Sequence, residues 1–179
     1  MQPVVHLRGA VALLGRFPAL AGATLDVQRG EIVLVRGRNG AGKTTLLRVL
    51  AGLLPVAAGE AVVLGCDLRA RRQDVRTKVG MLGHGNGLYE DLTVAENVRF
   101  WGRTVGATDG EIATAMARLG VAGRLATVPV HRLSAGQRRR TALAVVAARR
   151  HRLAEEGVEE VPAGGLVEVP PREAAPVPC

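Results

Sequence analysis

The sequence predicts an α/β fold organised around a strand, a glycine-rich loop and a helix, in that order. Three observations carry the prediction. Glu31–Val35 (EIVLV) is a short continuous apolar run of the kind that forms a buried strand, and it breaks at Gly37. From Lys43 to Leu54, the residues Leu46, Leu47, Leu50, Leu53 and Leu54 recur at helical spacing, with Gly52 and Pro55 to stop the helix. Further along, Thr93-Val-Ala-Glu96 and Thr108-Asp-Gly-Glu111 both show the pattern of a reciprocally capped helix start.

The other elements follow in chain order. Short strands are predicted at Val4–Leu7 and Thr24–Val27, with Arg29-Gly30 turning into the next strand. A secretory leader is the rival reading, since Arg8 precedes an apolar run and Ala21-Gly22-Ala23 mimics a cleavage site. Arg16 and Pro18 interrupt that run, so strands are preferred. Ala61–Leu64 and Lys78–Leu82 are further strand candidates. One helix should run from Thr93 through Trp101, and another from Thr108 to about Leu119, ended by Gly120. Ser134 is a plausible N-cap for a last helix, Ala135 to Arg150, with Leu143, Val146 and Ala147 on one face. No internal repeat is present.

Composition narrows the class. Of 179 residues, 47% are apolar, enough for a core. There are 24 basic and 16 acidic residues, and all the basic ones except Lys43 and Lys78 are arginine. Residues 1–150 carry a net charge of +12, which suggests a nucleic-acid-binding module as a rival from another class. Its arginines are scattered, however, and the only aromatics are Phe17, Tyr89, Phe100 and Trp101, so no nucleic-acid partner is expected. Apolar stretches reach only about eight residues, against the ~20 of a membrane span. Two cysteines, Cys66 and Cys179, make no disulfide framework, and a reducing cytoplasm is the default expectation.

The strongest motif is Gly37-Arg38-Asn39-Gly40-Ala41-Gly42-Lys43-Thr44, which fits G-x-x-x-x-G-K-[ST] at every position. Glycines are needed there because successive backbone N–H groups must turn inward around phosphate oxygens, and side chains would block them. Lys43 would place an ammonium on the β- and γ-phosphates, and the Thr44 hydroxyl would ligate Mg²⁺. The helix that follows would point its positive dipole end at the anion.

A second motif is Leu133-Ser134-Ala135-Gly136-Gln137, followed by Arg138-Arg139-Arg140. Three arginines in a first turn oppose the helix dipole. Small residues at an N-cap leave the amides open, which suits an anion site. The arginines themselves read equally as a solvated charged face or as contact residues.

Together, RGRNGAGKTTLLR and LSAGQ, about ninety residues apart, resemble the nucleotide-binding subunit of ATP-binding cassette (ABC) transporters over residues 1–150. Within that family, GHGNGLYEDLTVAENVRF and VPVHRLSAGQRRRTALA are most similar to the ATP-binding subunit of the haem exporter of cytochrome c maturation. Other drug or lipid exporters of the family, and a nucleotide-binding regulator without turnover, are the alternatives. The resemblance implies a P-loop NTPase fold of ABC type, with a partial parallel sheet, an antiparallel layer and a helical subdomain. It implies that Gly37 to Thr45 hold ATP with Mg²⁺, that Phe17 stacks on adenine, and that Ser134, Ala135, Gly136 and Gln137 contact ATP held by a second subunit. Membrane permease subunits on the cytoplasmic face would be the partners. The organisation expected is an ATP-binding core over 1–83, a helical subdomain over 84–150 and a disordered, aberrant tail over 151–179.

Three departures from the family pattern stand out. No glutamine lies between Gln73 and Gln137, where the family's Q-loop glutamine would fall near Gly85; His84 and Asn86 are the polar residues there. No aspartate follows Asp109, so the apolar strand ending in Asp-Glu, which steadies Mg²⁺ and activates water, has no match; Leu166-Val-Glu168-Val comes too late and lacks the pair. The switch histidine has no counterpart either, as His151 lies too close to the signature. Charge falls from +12 before residue 150 to −4 after it, and five of nine prolines lie in the last 29 residues. That change predicts a reading frame disrupted near Arg150, and with it a P-loop strand deprived of its neighbour.

Overall fold

Gly15 and Arg16 turn the chain back on itself between two long strands, β1 (Val5–Leu14) and β2 (Phe17–Val27), with Leu14 opposite Phe17. The computed structural model describes residues 2–83, 85, 87–154 and 166–168, with side chains through Ala148. The chain divides into two units: the first runs to Arg76 and takes in Leu166–Glu168, and the second begins at Thr77.

In the first unit, β1 also pairs antiparallel with β4 (Ala58–Val63), which pairs with the short β5 (Cys66–Asp67), giving the order β2-β1-β4-β5. Leu7, Ala10, Ala12, Leu20 and Leu25 of the hairpin are buried, as are Leu46 and Val49 of α1 (Lys43–Leu50), which packs on β1 and β2. The strands expected at Val4–Leu7 and Thr24–Val27 are the far ends of this hairpin. Its nearer half escapes the sequence pattern because register shifts between Leu7 and Leu13 break the alternation.

Further expectations are corrected in this unit. α1 stops at Leu50 rather than Leu54, because Gly52 takes a left-handed φ of 68° and the amides of Leu53 and Leu54 turn back to the Arg48 carbonyl. A Cβ on Gly52 would sit 2.3 Å from the Arg72 carbonyl oxygen, so the site admits only glycine. Arg72 belongs to α2 (Leu68–Arg76), a helical segment kinked at Arg71 that the sequence pattern does not show: only Leu68 and Val75 are buried on it, and its start is held by Asp67 accepting from the Arg69 amide at 2.8 Å.

The strand that leads into the glycine loop, β3, is short, Leu34–Arg36. It is not alone. Leu166–Glu168 forms β6, parallel to β3, with Leu34 opposite Leu166 and Arg36 opposite Glu168. Residues 151–154 continue the last helix. The expectation of a wholly disordered tail, and of a P-loop strand without a neighbour, is therefore corrected for these residues. A three-residue strand is defined by its pairing rather than by its own pattern. Residues 155–165 and 169–179 lie outside the described residues. On the other hand, Ile32 and Leu34 remain 60% and 51% exposed, so the apolar surface around β3 is poorly covered.

The second unit is helical: α3 (Val94–Arg103), α4 (Asp109–Arg118) and α5 (Ala135–Ala154), with α3 and α4 packed on α5. Both expected capping boxes form, Thr93 with Glu96 and Thr108 with Glu111. Val94, Val98, Ile112, Met116, Val121, Val130, Leu133 and Val145 are among the residues of its core. Lys78–Leu82 is not a strand; Gly80 there lies against Val146 of α5. The Glu96 carboxyl is held below its ordinary value by accepting hydrogen bonds from the Thr93 backbone and side chain. The cap's full contribution is therefore present above that ordinary value and is lost as pH falls through the lowered one.

Asn97 is fully buried on α3 and organises the segment before it. Its side-chain nitrogen donates to the carbonyls of Tyr89 (3.0 Å), Leu92 (3.2 Å) and Thr93 (3.0 Å), and its oxygen accepts from the Tyr89 amide at 2.8 Å. Asn97→Leu keeps the volume but leaves buried backbone groups unpaired, and is expected to cost about 2–4 kcal/mol in urea unfolding. A change within ~0.5 kcal/mol would show that water takes over these bonds.

Candidate functional site

The loop between β3 and α1 is shaped by three glycines. Gly37, Gly40 and Gly42 have φ of 146°, 85° and 93°, while the non-glycine residues between them keep negative φ. Such alternation turns consecutive amides toward one side and creates a concavity for an anion. At Gly42 the requirement is double: beyond its φ, a Cβ would meet the Ala19 carbonyl oxygen at 2.6 Å. At Gly40 a Cβ would meet nothing within 4 Å. The loop is thus braced against β2 at one end and open at the other.

Lys43, the first residue of α1, folds back over the loop. Its Nζ donates to the carbonyls of Gly37 and Arg38, both at 2.8 Å. Two of three ammonium donors are thus used to close the loop, and one remains for an incoming oxygen. Arg38 and Asn39 are exposed, Ala41 is buried, and the Arg38 carbonyl also accepts from the Ala41 amide at 3.1 Å. Thr44 is exposed and Thr45 is buried. Among the described residues no group of three His, Cys, Asp or Glu could hold a metal ion. A cation brought with a triphosphate would find the Thr44 hydroxyl, which fits the G-K-[ST] chemistry.

Phe17 opens β2 and is 77% exposed, which excludes a core role. It lies two residues before Ala19, whose carbonyl the loop packs against at Gly42. One strand therefore carries both an exposed ring and the brace of the glycine loop.

The second motif lies in the helical unit. Ser134 Oγ accepts from the Gln137 amide at 3.3 Å, and Gln137 Oε1 accepts from the Ser134 amide at 2.9 Å. This is a third capping box, with glutamine in place of glutamate, and S-x-x-Q in the sequence was the signal for it. The Ser134 hydroxyl keeps its proton for donation, and the Gln137 amide keeps its NH₂. Ala135 and Gly136 are exposed, their amides belong to the unpaired first turn, and a Cβ at Gly136 would meet nothing within 4 Å. Of the arginines that follow, Arg138 and Arg139 are contact residues within the chain, Arg139 donating to the Gly83 carbonyl at 3.1 Å.

His84 and Asn86 lie outside the described residues. Leu82, Gly83, Gly85, Gly87 and Trp101 line a cavity against α5. Nearby, three of the chain's four aromatics form a cluster: Tyr89 stacks on Trp101 at 5.9 Å, and Phe100 meets both edge-on at 5.3 and 5.2 Å. Tyr89 and Phe100 are 47% and 45% exposed.

The profile of the ABC transporter family matches residues 20–154, spanning the glycine loop, the aromatic cluster and the Ser134–Gln137 turn. The chain belongs to the ABC transporter family. Among its relatives, the cytochrome c biogenesis ATP-binding export protein CcmA of Cupriavidus pinatubonensis is 40% identical over 147 residues, covering 81% of this chain and 65% of the relative. A second protein of that name, from Cupriavidus metallidurans, is 42% identical over 74% of this chain and 64% of its own length. The chain thus spans slightly less than two thirds of these relatives. Among solved structures, a dimeric ATP-binding cassette in a post-hydrolysis state, bound to ADP and phosphate, superposes with a TM-score of 0.71 at 25% identity, covering 82% of this chain and 70% of that one. The α/β architecture of an ABC cassette, with its antiparallel layer, partial parallel sheet and helical unit, is the one expected.

Proposed function

We propose that this chain is the ATP-binding subunit of an ABC exporter serving c-type cytochrome biogenesis through haem export. The observation that carries nucleotide binding is the loop of three left-handed glycines closed by Lys43. Gly37 to Thr45 hold the triphosphate, Thr44 helps hold the accompanying Mg²⁺, and Phe17 stacks on the base. Ser134, Ala135, Gly136 and Gln137 complete the site of a second nucleotide-binding subunit. The type of exporter rests on the 40–42% identity to relatives named for cytochrome c biogenesis.

The partners in this reading are integral membrane permease subunits, reached from the cytoplasmic face. Among the described residues no helix is long and apolar enough to cross a membrane. The exposed cluster of Tyr89 with Phe100 and Trp101 of α3 supports a protein partner, because contiguous exposed apolar surface marks interaction sites. Deleting the gene is expected to abolish c-type cytochromes, seen as loss of covalent haem staining, and affinity capture of the intact protein should recover polytopic subunits. If cytochromes persisted while export of another compound failed, the haem assignment would be wrong.

As to turnover, we propose that the 179-residue polypeptide on its own binds ATP without efficient hydrolysis. Support comes from the sequence between the signature and Cys179, which holds no aspartate for the Asp-Glu pair. The frame change near Arg150 is part of the same proposal, and the family match ends at residue 154.

A further inference from the structure

Arg138 sits in the first turn of α5, where its charge opposes the helix dipole, yet the structure uses all three faces of its guanidinium. Nε donates to the Leu133 carbonyl at 3.3 Å, Nη2 to the His131 carbonyl at 3.0 Å, and Nη1 to Glu90 Oε1 at 3.0 Å. The side chain is only 31% exposed, against 65% for Glu90. Two of the three acceptors are carbonyls of the segment that delivers the chain into Ser134. The third belongs to a residue 48 positions earlier in the sequence.

Glu90 is tied to the same segment a second time. Its carbonyl accepts from the His131 amide at 3.0 Å, with His131 Nδ1 at 3.1 Å from the same oxygen. Beside it, Val130 donates to the Leu92 carbonyl at 3.0 Å and Val94 to the Val128 carbonyl at 3.1 Å. Tyr89, the residue before Glu90, is held by buried Asn97 and belongs to the exposed aromatic cluster. A continuous path of bonds therefore runs from the aromatic surface, through Glu90 and Arg138, to the exposed turn at Ser134–Gly136.

We propose that Arg138 is a positioning residue for the Ser134–Gln137 turn, and that Glu90 is the counter-charge that fixes its orientation. This joins the segment bearing Tyr89 to the nucleotide-contacting turn as one rigid body. Arg138 acts through the carbonyls of His131 and Leu133 and touches no nucleotide. Lysine is a poor replacement, because one ammonium cannot present three donors in a planar fork to acceptors on three sides. The proposal rests on the nucleotide-binding reading above.

The test uses the full chain with Mg-ATP as the probe. Sedimentation reads ATP-driven self-association, and hydrogen exchange reads the amides of residues 131–137. Arg138→Gln and Glu90→Gln are expected to leave the melting temperature within a few degrees of the parent. Both should speed exchange across 131–137 and weaken association about tenfold or more. Glu90→Asp, which keeps the carboxylate acceptor, should retain part of both the protection and the association, and Arg138→Lys should retain little of either, an asymmetry that loss of packing alone would not produce. Unchanged exchange at 131–137 in Arg138→Gln overturns the proposal, whatever the association shows. If the parent chain fails to associate in ATP, it is the two-subunit reading that falls, and the exchange arm still decides the role of Arg138.

Discussion

Lys43→Ala is expected to weaken Mg-ATP binding at least tenfold. Loss of one charge-assisted contact to phosphate is worth about 1.5–3 kcal/mol, and each ~1.4 kcal/mol is a factor of ten in affinity. A second effect adds to this. The ammonium also bridges the Gly37 and Arg38 carbonyls, so its removal frees the loop it closes. The loop would then have to be ordered again on binding, at a cost in chain entropy. Lys43→Arg should not rescue, because a planar guanidinium cannot take the place of a compact ammonium between two carbonyls 2.8 Å away. Titration calorimetry with Mg-ATP is the measurement, and unchanged affinity in Lys43→Ala would refute the phosphate-loop assignment. Because Lys43 is exposed in part and lies at the start of α1, thermal stability of the variant should stay close to the parent.

The 179-residue chain should turn over ATP at least ~10²-fold more slowly than a version continued in the alternative frame from codon 150. Positioned base catalysis is typically worth 10²–10⁴-fold, and the Mg²⁺-steadying carboxylate adds to it. Both forms should bind nucleotide with comparable, Lys43-dependent affinity, since Gly37–Thr45 and their brace at Ala19 lie far upstream of the change. Equal Lys43-dependent rates in the two forms would sink the idea. So would a downstream frame that encodes no apolar strand ending in Asp-Glu. Partner loss around β3 is a poorer explanation for inactivity than it looks from the sequence, because β6 supplies a parallel neighbour. Half-exposed Leu34 and Ile32 still favour aggregation of the shorter form on heating.

Several features were legible without any structure because the atoms that settle them are close in the chain. Lys43 and the two carbonyls it binds are five and six residues apart. The capping boxes of α3 and α4 close over three residues, and so does the one at Ser134–Gln137, with glutamine as its returning acceptor. Backbone geometry at Gly37, Gly40 and Gly42 is likewise local, as only glycine takes such φ values without strain. The glycine loop, the helix starts and the family resemblance could therefore be read from residue type and spacing.

Other features depend on contacts that no local pattern encodes. The near half of the β1–β2 hairpin exists because paired backbones absorb register shifts that erase the alternation. Helix α2 forms in a strongly basic stretch because Leu68 and Val75 are buried and its arginines donate to the Gly52 carbonyl. Leu166–Glu168 becomes a strand only beside β3, and Lys78–Leu82, apolar enough to suggest one, does not. Phe17 could be a core residue or an exposed ring until its burial was seen. The Glu90–Arg138 bridge joins residues 48 apart, and the sequence shows only an acid in a loop and an arginine in a run. Spacing alone determined the glycine loop and the lysine that closes it, since those bonds span a few residues. Which strands pair, which faces are covered and which charges meet was left to the tertiary structure, because such contacts gain their stability only when distant segments exclude water together.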